Sequence, residues 1–563
     1  MKQSIFLSSG YFFLWLTIWV TLGAICSLFA PALPHLEVSL FSQIWEVWTS
    51  DYGFPNLEDT RLNSHTIYQW LTYYIWESLV FSDALLLLMP AFFGFLSILI
   101  IMTISRLLWK EAPLAANLGA TVLMGTLAWL IFNLISGIFA FSTFCLLVAM
   151  YGLLISWSKR TILGPLLTGL ATGVGFLASG YIIMAHVLCL AVVAPIWGSG
   201  VNPKTLNDSQ DDCNVTLRAW YLRVLMIILV AFFIILGNDI NQNEQFDLNS
   251  IMLSLHTTLT ALLPSFNTSE HQIWARFLII LLFLLPWVIW PPIFQLTGRF
   301  ILLVKDASGR FCVIWFLVSV LIFIFSSKNV LSHATLHTPS FVLIVSYLLY
   351  PAIYHEKKMQ VGYYMCSDTA FTLFNALIGF ILIVVTRLEH VSYLPWWTTE
   401  IAGGWGLVLI LLAALMAYKH FEQLKWRMLS IVLQMCTLIA VLILSVSPLL
   451  KNHFNLEPVV EHIRNTTSKN VQISLIGDDW PDVIMPAKLD GLVSVVDTLD
   501  TIGIVAWAVG HPDGQLGLIS KDYLSEIEGA VIFPYKNKYI TFFPAEIASE
   551  RPELIIMDDS SDH

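Results

Sequence analysis

Glu37 is the titratable side chain in the costliest place. It lies in Pro34-His35-Leu36-Glu37-Val38, directly after a first apolar stretch, with Ser42-Gln43-Ile44-Trp45-Glu46 behind it. A carboxylate held at the mouth of an apolar helix bundle is expensive to keep near lipid, and such a group reads by default as functional. The plainer alternative is an exposed loop carboxylate beside a helix. Glu58, Asp59, Arg61 and His65 follow in the same loop. A guanidinium matches phosphate oxygens two at a time, so Arg61 suits an anionic headgroup; local ion pairs in a solvated loop would use the same residues. Lys328, alone at the end of an apolar run, suits a phosphate or simply snorkels to the headgroups. His333 and His337 are spaced to share one helix face. They lack a third ligand in sequence, so two interfacial histidines are expected rather than a metal site.

The elements that must hold these residues are apolar helices. The 563 residues are 57% hydrophobic and only 12% charged, about half the charged share of a soluble domain. Apolar runs recur from Tyr11 to Leu449, and about thirteen are long enough to span a bilayer: 11–31, 83–105, 115–132, 138–157, 162–178, 181–198, 220–237, 276–296, 311–326, 339–354, 369–387, 404–418 and 428–449. Basic residues concentrate in alternate loops, among them Arg106, Lys110, Lys159, Arg160, Lys357, Lys358, Lys419 and Arg427. The opposite loops hold only Arg61, Arg276, Lys328 and Arg387. The positive-inside rule then places the N-terminus in the cytoplasm and the C-terminal segment outside.

Two exported loops are long, 32–82 and 238–275. The first is rich in aromatic residues, Tyr68 and Trp70 among them, which suit a helix lying on the outer leaflet. Trp396-Trp397 and Trp290-Pro291-Pro292 read as interfacial anchors and span ends. The expected organisation is a membrane domain over 1–449 and a small exported α/β domain over 450–563. Apolar runs at 471–476, 492–496, 502–507, 531–533, 539–543 and 554–556 read as its strands. From Leu450 onward there are 18 acidic and 8 basic residues, which accounts for −10 of the net charge of −11. That excess argues against nucleic acid and against docking on anionic lipid. Seven cysteines without a CxxC pair predict neither disulfide nor thiolate metal site.

Three stretches carry a family resemblance. Glu37-Val38-Ser39-Leu40-Phe41, Gln43-Ile44-Trp45-Glu46 and Asp51-Tyr52-Gly53-Phe54-Pro55 follow one another after the first span; Asn63-Ser64-His65-Thr66-Ile67-Tyr68-Gln69-Trp70-Leu71 comes next; Phe323-Ile324-Phe325-Ser326-Ser327-Lys328-Asn329-Val330-Leu331 ends the ninth span. With the span layout, these resemble the GT-C membrane glycosyltransferases, the group of the bacterial 4-amino-4-deoxy-L-arabinose lipid A transferase and the protein O-mannosyltransferases. The resemblance implies transfer of a sugar from a polyprenyl-phosphate carrier to a lipid, glycan or protein acceptor at the outer face. It makes Glu37 the general base, or a ligand to a divalent cation near the donor phosphate. Glu58, Asp59, Arg61, His65, Tyr68, Lys328 and His333 become substrate-binding candidates.

The chain departs from the family's Asp-Glu pair, which reads Glu37-Val38 here. It also has no acid near Asn133–Gly137, where the family keeps a second one, and Ala178-Ser179-Gly180 replaces a Lys-Gly-Pro. These departures favour a non-catalytic relative that binds polyprenyl lipid or glycan. A transporter ranks third, because ionisable residues inside the spans are few, with His186 the main one and more readily a packed side chain. The short loops and the arabinose-transferase-like pattern point to a bacterial inner membrane.

Overall fold

The structure, a computed structural model, describes residues 2–29, 66–78, 83–109, 115–158, 161–198, 217–242, 270–325, 335–354, 365–388, 396–418, 421, 423–454, 456–476, 493–496, 501–520, 529–535 and 538–550. Its contacts divide the chain into two compact units. One takes in 1–28, 57–390 and 403–445; the other takes in 29–56, 391–402 and 446–563.

The first unit is a bundle of apolar helices, the only way in lipid for a short segment to satisfy its own backbone groups. In chain order they are α1 (Lys2–Phe29), α2 (Thr66–Ser78), α3 (Asp83–Leu108), α4 (Ala115–Met124), α5 (Leu127–Ile135), α6 (Gly137–Ser158), α7 (Leu163–Ser179) and α8 (Tyr181–Val192). Then come α9 (Leu217–Gln242), α10 (Glu270–Phe283), α11 (Ala307–Phe325), α12 (Thr338–Tyr354), α13 (Met365–Val385), α14 (Gly406–Tyr418) and α15 (Leu424–Phe454). Among the described residues six stretches, in α3, α6, α9, α11, α13 and α15, are long and apolar enough to cross a membrane. The bent pair α4–α5 makes a seventh if its two halves are counted as one span, and shorter apolar helices occupy the other predicted positions.

Three predicted spans are not continuous helices; in 181–198 a turn at Val193 parts α8 from a short helix at Ala194–Trp197, and two others are interrupted more fully. The 115–132 run breaks at Gly125-Thr126, where α4 and α5 turn by 74°. The break leaves backbone groups to be satisfied from elsewhere. The indole of Trp287 donates to the Val122 carbonyl at 2.8 Å, and the Leu127 amide donates to the Leu285 carbonyl at 2.9 Å. Gly125 permits this, because a Cβ there would stand 2.6 Å from the Trp287 ring. The second is the 276–296 run, whose helix ends at Phe283 and gives way to turns through 284–290. Pro286 cannot donate to a helix, and the residue before a proline is pushed out of helical geometry. Each interruption is thus completed by the other.

Elsewhere the bundle closes by small-residue contacts and indole hydrogen bonds. Trp19 of α1 donates to the Ala91 carbonyl of α3 at 2.7 Å. Gly164 of α7 lies so close to α6 that a Cβ would meet the Ser156 amide at 2.6 Å, the close backbone approach that membrane helices use in place of hydrophobic burial. Gly180 alone separates α7 from α8, at φ 73°, ψ −158°, a region open essentially to glycine.

The second unit contains a five-stranded mixed sheet of order β2-β1-β3-β5-β4, with β1 (Ile473–Ile476), β2 (Val493–Val496), β3 (Gln515–Ser520), β4 (Val531–Tyr535) and β5 (Lys538–Pro544). β1 is parallel to β2 and β3, while β5 is antiparallel to β3 and β4. One face packs Ile473, Leu475, Ile540 and Phe542 against Val459, Val460 and Ile463 of α16 (Glu457–Thr467). The other packs Ile476, Leu516, Leu518 and Phe543 against α17 (Thr501–Gly510) and α18 (Ala545–Glu550). The 502–507 run, expected as a strand, is therefore helix α17. Parallel strands need a crossover, and the segment from β2 to β3 is where it must lie; the strand that takes the vacated place is Gln515–Ser520. The expected run at 554–556 lies outside the described residues.

Candidate active site at one end of the bundle

The first turns of α6, α8 and α12 and the last turns of α7 and α11 meet at one end of the first unit. Several of their side chains there are polar. The Thr143 hydroxyl donates to the Phe139 carbonyl at 2.8 Å and lies 2.8 Å from the Thr335 hydroxyl. With its single proton committed to the carbonyl, Thr143 accepts from Thr335. One residue earlier, the Ser142 hydroxyl donates to Ile138 and contacts that of Ser179. Tyr68 of α2 is fully buried, its ring centroid 5.7 Å from that of Phe141, which Phe93 also meets at 4.8 Å. The Arg276 guanidinium of α10 donates to the Ile324 carbonyl in the last turn of α11 at 2.5 Å.

Two imidazoles are buried here. His186 is 2% exposed and His337, directly before α12, is 1% exposed. Nδ1 of His186 lies 2.8 Å from the Ile182 carbonyl. A carbonyl only accepts, so the proton is on Nδ1 and Nε2 carries a bare lone pair. Among the described residues that Nε2 and both ring nitrogens of His337 have no hydrogen-bond partner, nor does the Thr338 hydroxyl. The His337 ring meets Phe323 edge-on at 5.5 Å. Leaving a buried polar group open costs about 1–3 kcal/mol, a cost that a water or a ligand polar group at these nitrogens would remove. His337 is thus not the interfacial histidine expected from its spacing. It is enclosed because the chain turns into α12 there with Phe323 at its side.

Of the predicted site residues, Tyr68 is the one the structure describes, and it stands at this end. Glu37, Glu58, Asp59, Arg61, His65, Lys328 and His333 lie outside the described residues. Thr143, Thr335, Ser142 and the burial of His337 are not marked by any motif in the sequence; their one signal is polar side chains inside apolar runs. Arg276, read as a loop residue, is buried in α10. Among the described residues no group of three or more His, Cys, Asp or Glu could hold a metal ion.

A second polar seam lies at the opposite end of the helices. Arg427 of α15 forms an ion pair with Asp368 of α13, to which the Trp290 indole also donates at 3.1 Å. The two side chains are 4% and 24% exposed. Seven residues further along both helices, Asn375 donates to Gln434 at 3.2 Å. Arg427, assigned from sequence to a cytoplasmic loop, is instead an interhelical partner, because the helix starts before it at Leu424.

These features define a polytopic helical membrane protein with a small C-terminal sheet region. The chain is similar in structure to ArnT from Cupriavidus metallidurans bound to undecaprenyl phosphate, with a TM-score of 0.68 over 95% of this chain and 97% of that one. It is similar to the same protein in the apo state with a TM-score of 0.67, covering 95% and 98%. Sequence identity is 12% in both, so the likeness is one of fold. No protein-family model and no curated protein sequence matches the chain.

Proposed function

We propose that this protein is a membrane glycosyltransferase that takes a sugar from a polyprenyl-phosphate carrier and passes it to a lipid, glycan or protein acceptor outside the membrane. The supporting observation is the buried polar end of the bundle, with open imidazole nitrogens, in a chain whose fold follows that of an undecaprenyl-phosphate-binding ArnT along 95% of its length. In this reading residues 1–449 carry the reaction and 450–563 form an exported accessory domain. The N-terminus is cytoplasmic, and the membrane is a bacterial inner membrane.

Glu37 takes the acceptor's proton as its oxygen attacks the anomeric carbon, or holds a divalent cation near the phosphate. Arg61 and Lys328 hold the carrier phosphate. Glu58, Asp59, His65, Tyr68 and His333 line the sugar and acceptor. A phosphate leaving group departs without needing a general acid.

One observation favours a second reading, a non-catalytic relative that binds the carrier. The segment around Asn133, where the family keeps its second acid, ends α5 with a buried Asn133 that donates to the Trp129 carbonyl at 3.3 Å. Together with Val38, that leaves fewer carboxylates than the resemblance implies.

The test is the structure of the full chain with undecaprenyl phosphate, followed by transfer assays with membranes carrying lipid-linked sugars. Phosphate density near Tyr68, His186 and His337 is expected, with transfer lost in Glu37→Gln at unchanged protein level. Binding without transfer by the unsubstituted chain would select the second reading, and no density at this end would reject both.

A further inference from the structure

We infer that the outward face of α17 rests on the lipid surface and anchors the C-terminal domain to the membrane. Thr501–Gly510 contains no charged residue. Its inner positions, Ile504 and Ala508, face the sheet. Its outer positions are also apolar: Ile502 is 85% exposed, Val509 67%, and Val505 and Ala506 complete the stripe at helical spacing. The helix on the other side of the same sheet is the reverse. The outward positions of α16 are Pro458, Glu461, Arg464 and Asn465. The outer side of α16 is made for water and the outer stripe of α17 is not.

The occupant follows from where the domain begins. α15 is an apolar helix long enough to cross a membrane, and two residues separate its end at Phe454 from the start of α16 at Glu457. The same compact unit holds the end of α1, whose Phe29 ring lies under the Lys451 ammonium at 5.5 Å. It also holds the Trp396–Glu400 turn, tied to α15 by a hydrogen bond from Asn452 to Glu400 at 3.3 Å. Span ends and a Trp-Trp pair are the parts a protein keeps at headgroup level, and the domain's first helix follows such an end within two residues.

A second copy is the poorer fit. A ten-residue helix is about 15 Å long, and its stripe falls well short of the roughly 800 Å² per partner that a stable dimer buries. Lipid imposes no such threshold. The acidic excess of the segment selects uncharged lipid over anionic lipid.

This inference stands apart from the glycosyl-transfer reading. It is tested by placing a benzophenone side chain at Ile502, and separately at Val509, in the full chain in phosphatidylcholine nanodiscs, with Glu461 on α16 as the control. Illumination should give a phosphatidylcholine adduct at 502 and 509, severalfold above that at 461 and reduced when phosphatidylglycerol replaces half the lipid. A dimer adduct would assign the face to a second copy, and an adduct within the chain would assign it to the protein itself; either would overturn the inference. So would an equal yield at all three positions, or none.

Discussion

The Thr143 and Thr335 hydroxyls meet at 2.8 Å inside the bundle although 192 residues separate them. This contact joins α6 to the approach of α12 two residues before the buried His337. Replacing either threonine by valine should cost about 1 kcal/mol, since the hydrogen bond between them is lost, although Thr143 keeps its bond to the Phe139 carbonyl. The double substitution should cost less than the sum, because it removes both polar atoms. Thermal unfolding of the four proteins in one detergent gives the coupling, and strict additivity would mean the hydroxyls do not depend on each other.

His337→Phe separates a packing role from a binding role. Its ring already lies edge-on to Phe323 with both nitrogens open among the described residues. A phenyl ring of similar shape should keep or raise the unfolding temperature. If the nitrogens serve a carrier phosphate, undecaprenyl phosphate affinity should fall about tenfold, near 1.4 kcal/mol. Unchanged affinity would make the imidazole a packing residue.

The Asp368–Arg427 pair is a clamp between α13 and α15. Asp368→Asn leaves a buried guanidinium short of its counter-charge and should cost about 3 kcal/mol. Asp368→Leu combined with Arg427→Met should cost less than Asp368→Asn alone, because no charge is left buried. A stable Asp368→Asn protein would show that the pair is solvated in the membrane-embedded state.

The C-terminal domain should lose stability in mild acid. His462 is half-buried between Phe533 and Phe542, with Nε2 3.1 Å from Gln515, and burial holds its pKa below the usual 6.5. The folded domain therefore disfavours the proton that the unfolded chain accepts. Stability is full above 6.5, falls as pH drops through 6.5 toward the folded value, and levels off below it. Hydrogen exchange of β3 and β5 between pH 8 and 5 measures this, and His462→Gln should flatten the slope.

Much of the architecture was legible because its causes are local. Uncharged apolar runs dictate helices in lipid wherever they fall, and β-branched runs such as Val471–Ile476 and Tyr539–Phe543 mark strands. The stretches after the first span and at Phe323–Leu331 carried a fold likeness that 12% identity otherwise conceals. What is local was also what misled. The 502–507 run has strand composition, yet its place between parallel strands makes it a helix; the 115–132 run has no proline and still bends by 74°.

The sequence by itself thus determined a polytopic chain with an acidic C-terminal domain, since hydropathy and charge act residue by residue. The tertiary structure alone decided that α4–α5 breaks where Trp287 and Leu285 complete its backbone, and that Arg427 pairs with Asp368. It alone decided, too, that His186 and His337 share one buried end. Each of these rests on a partner far along the chain, and only folding brings the two together.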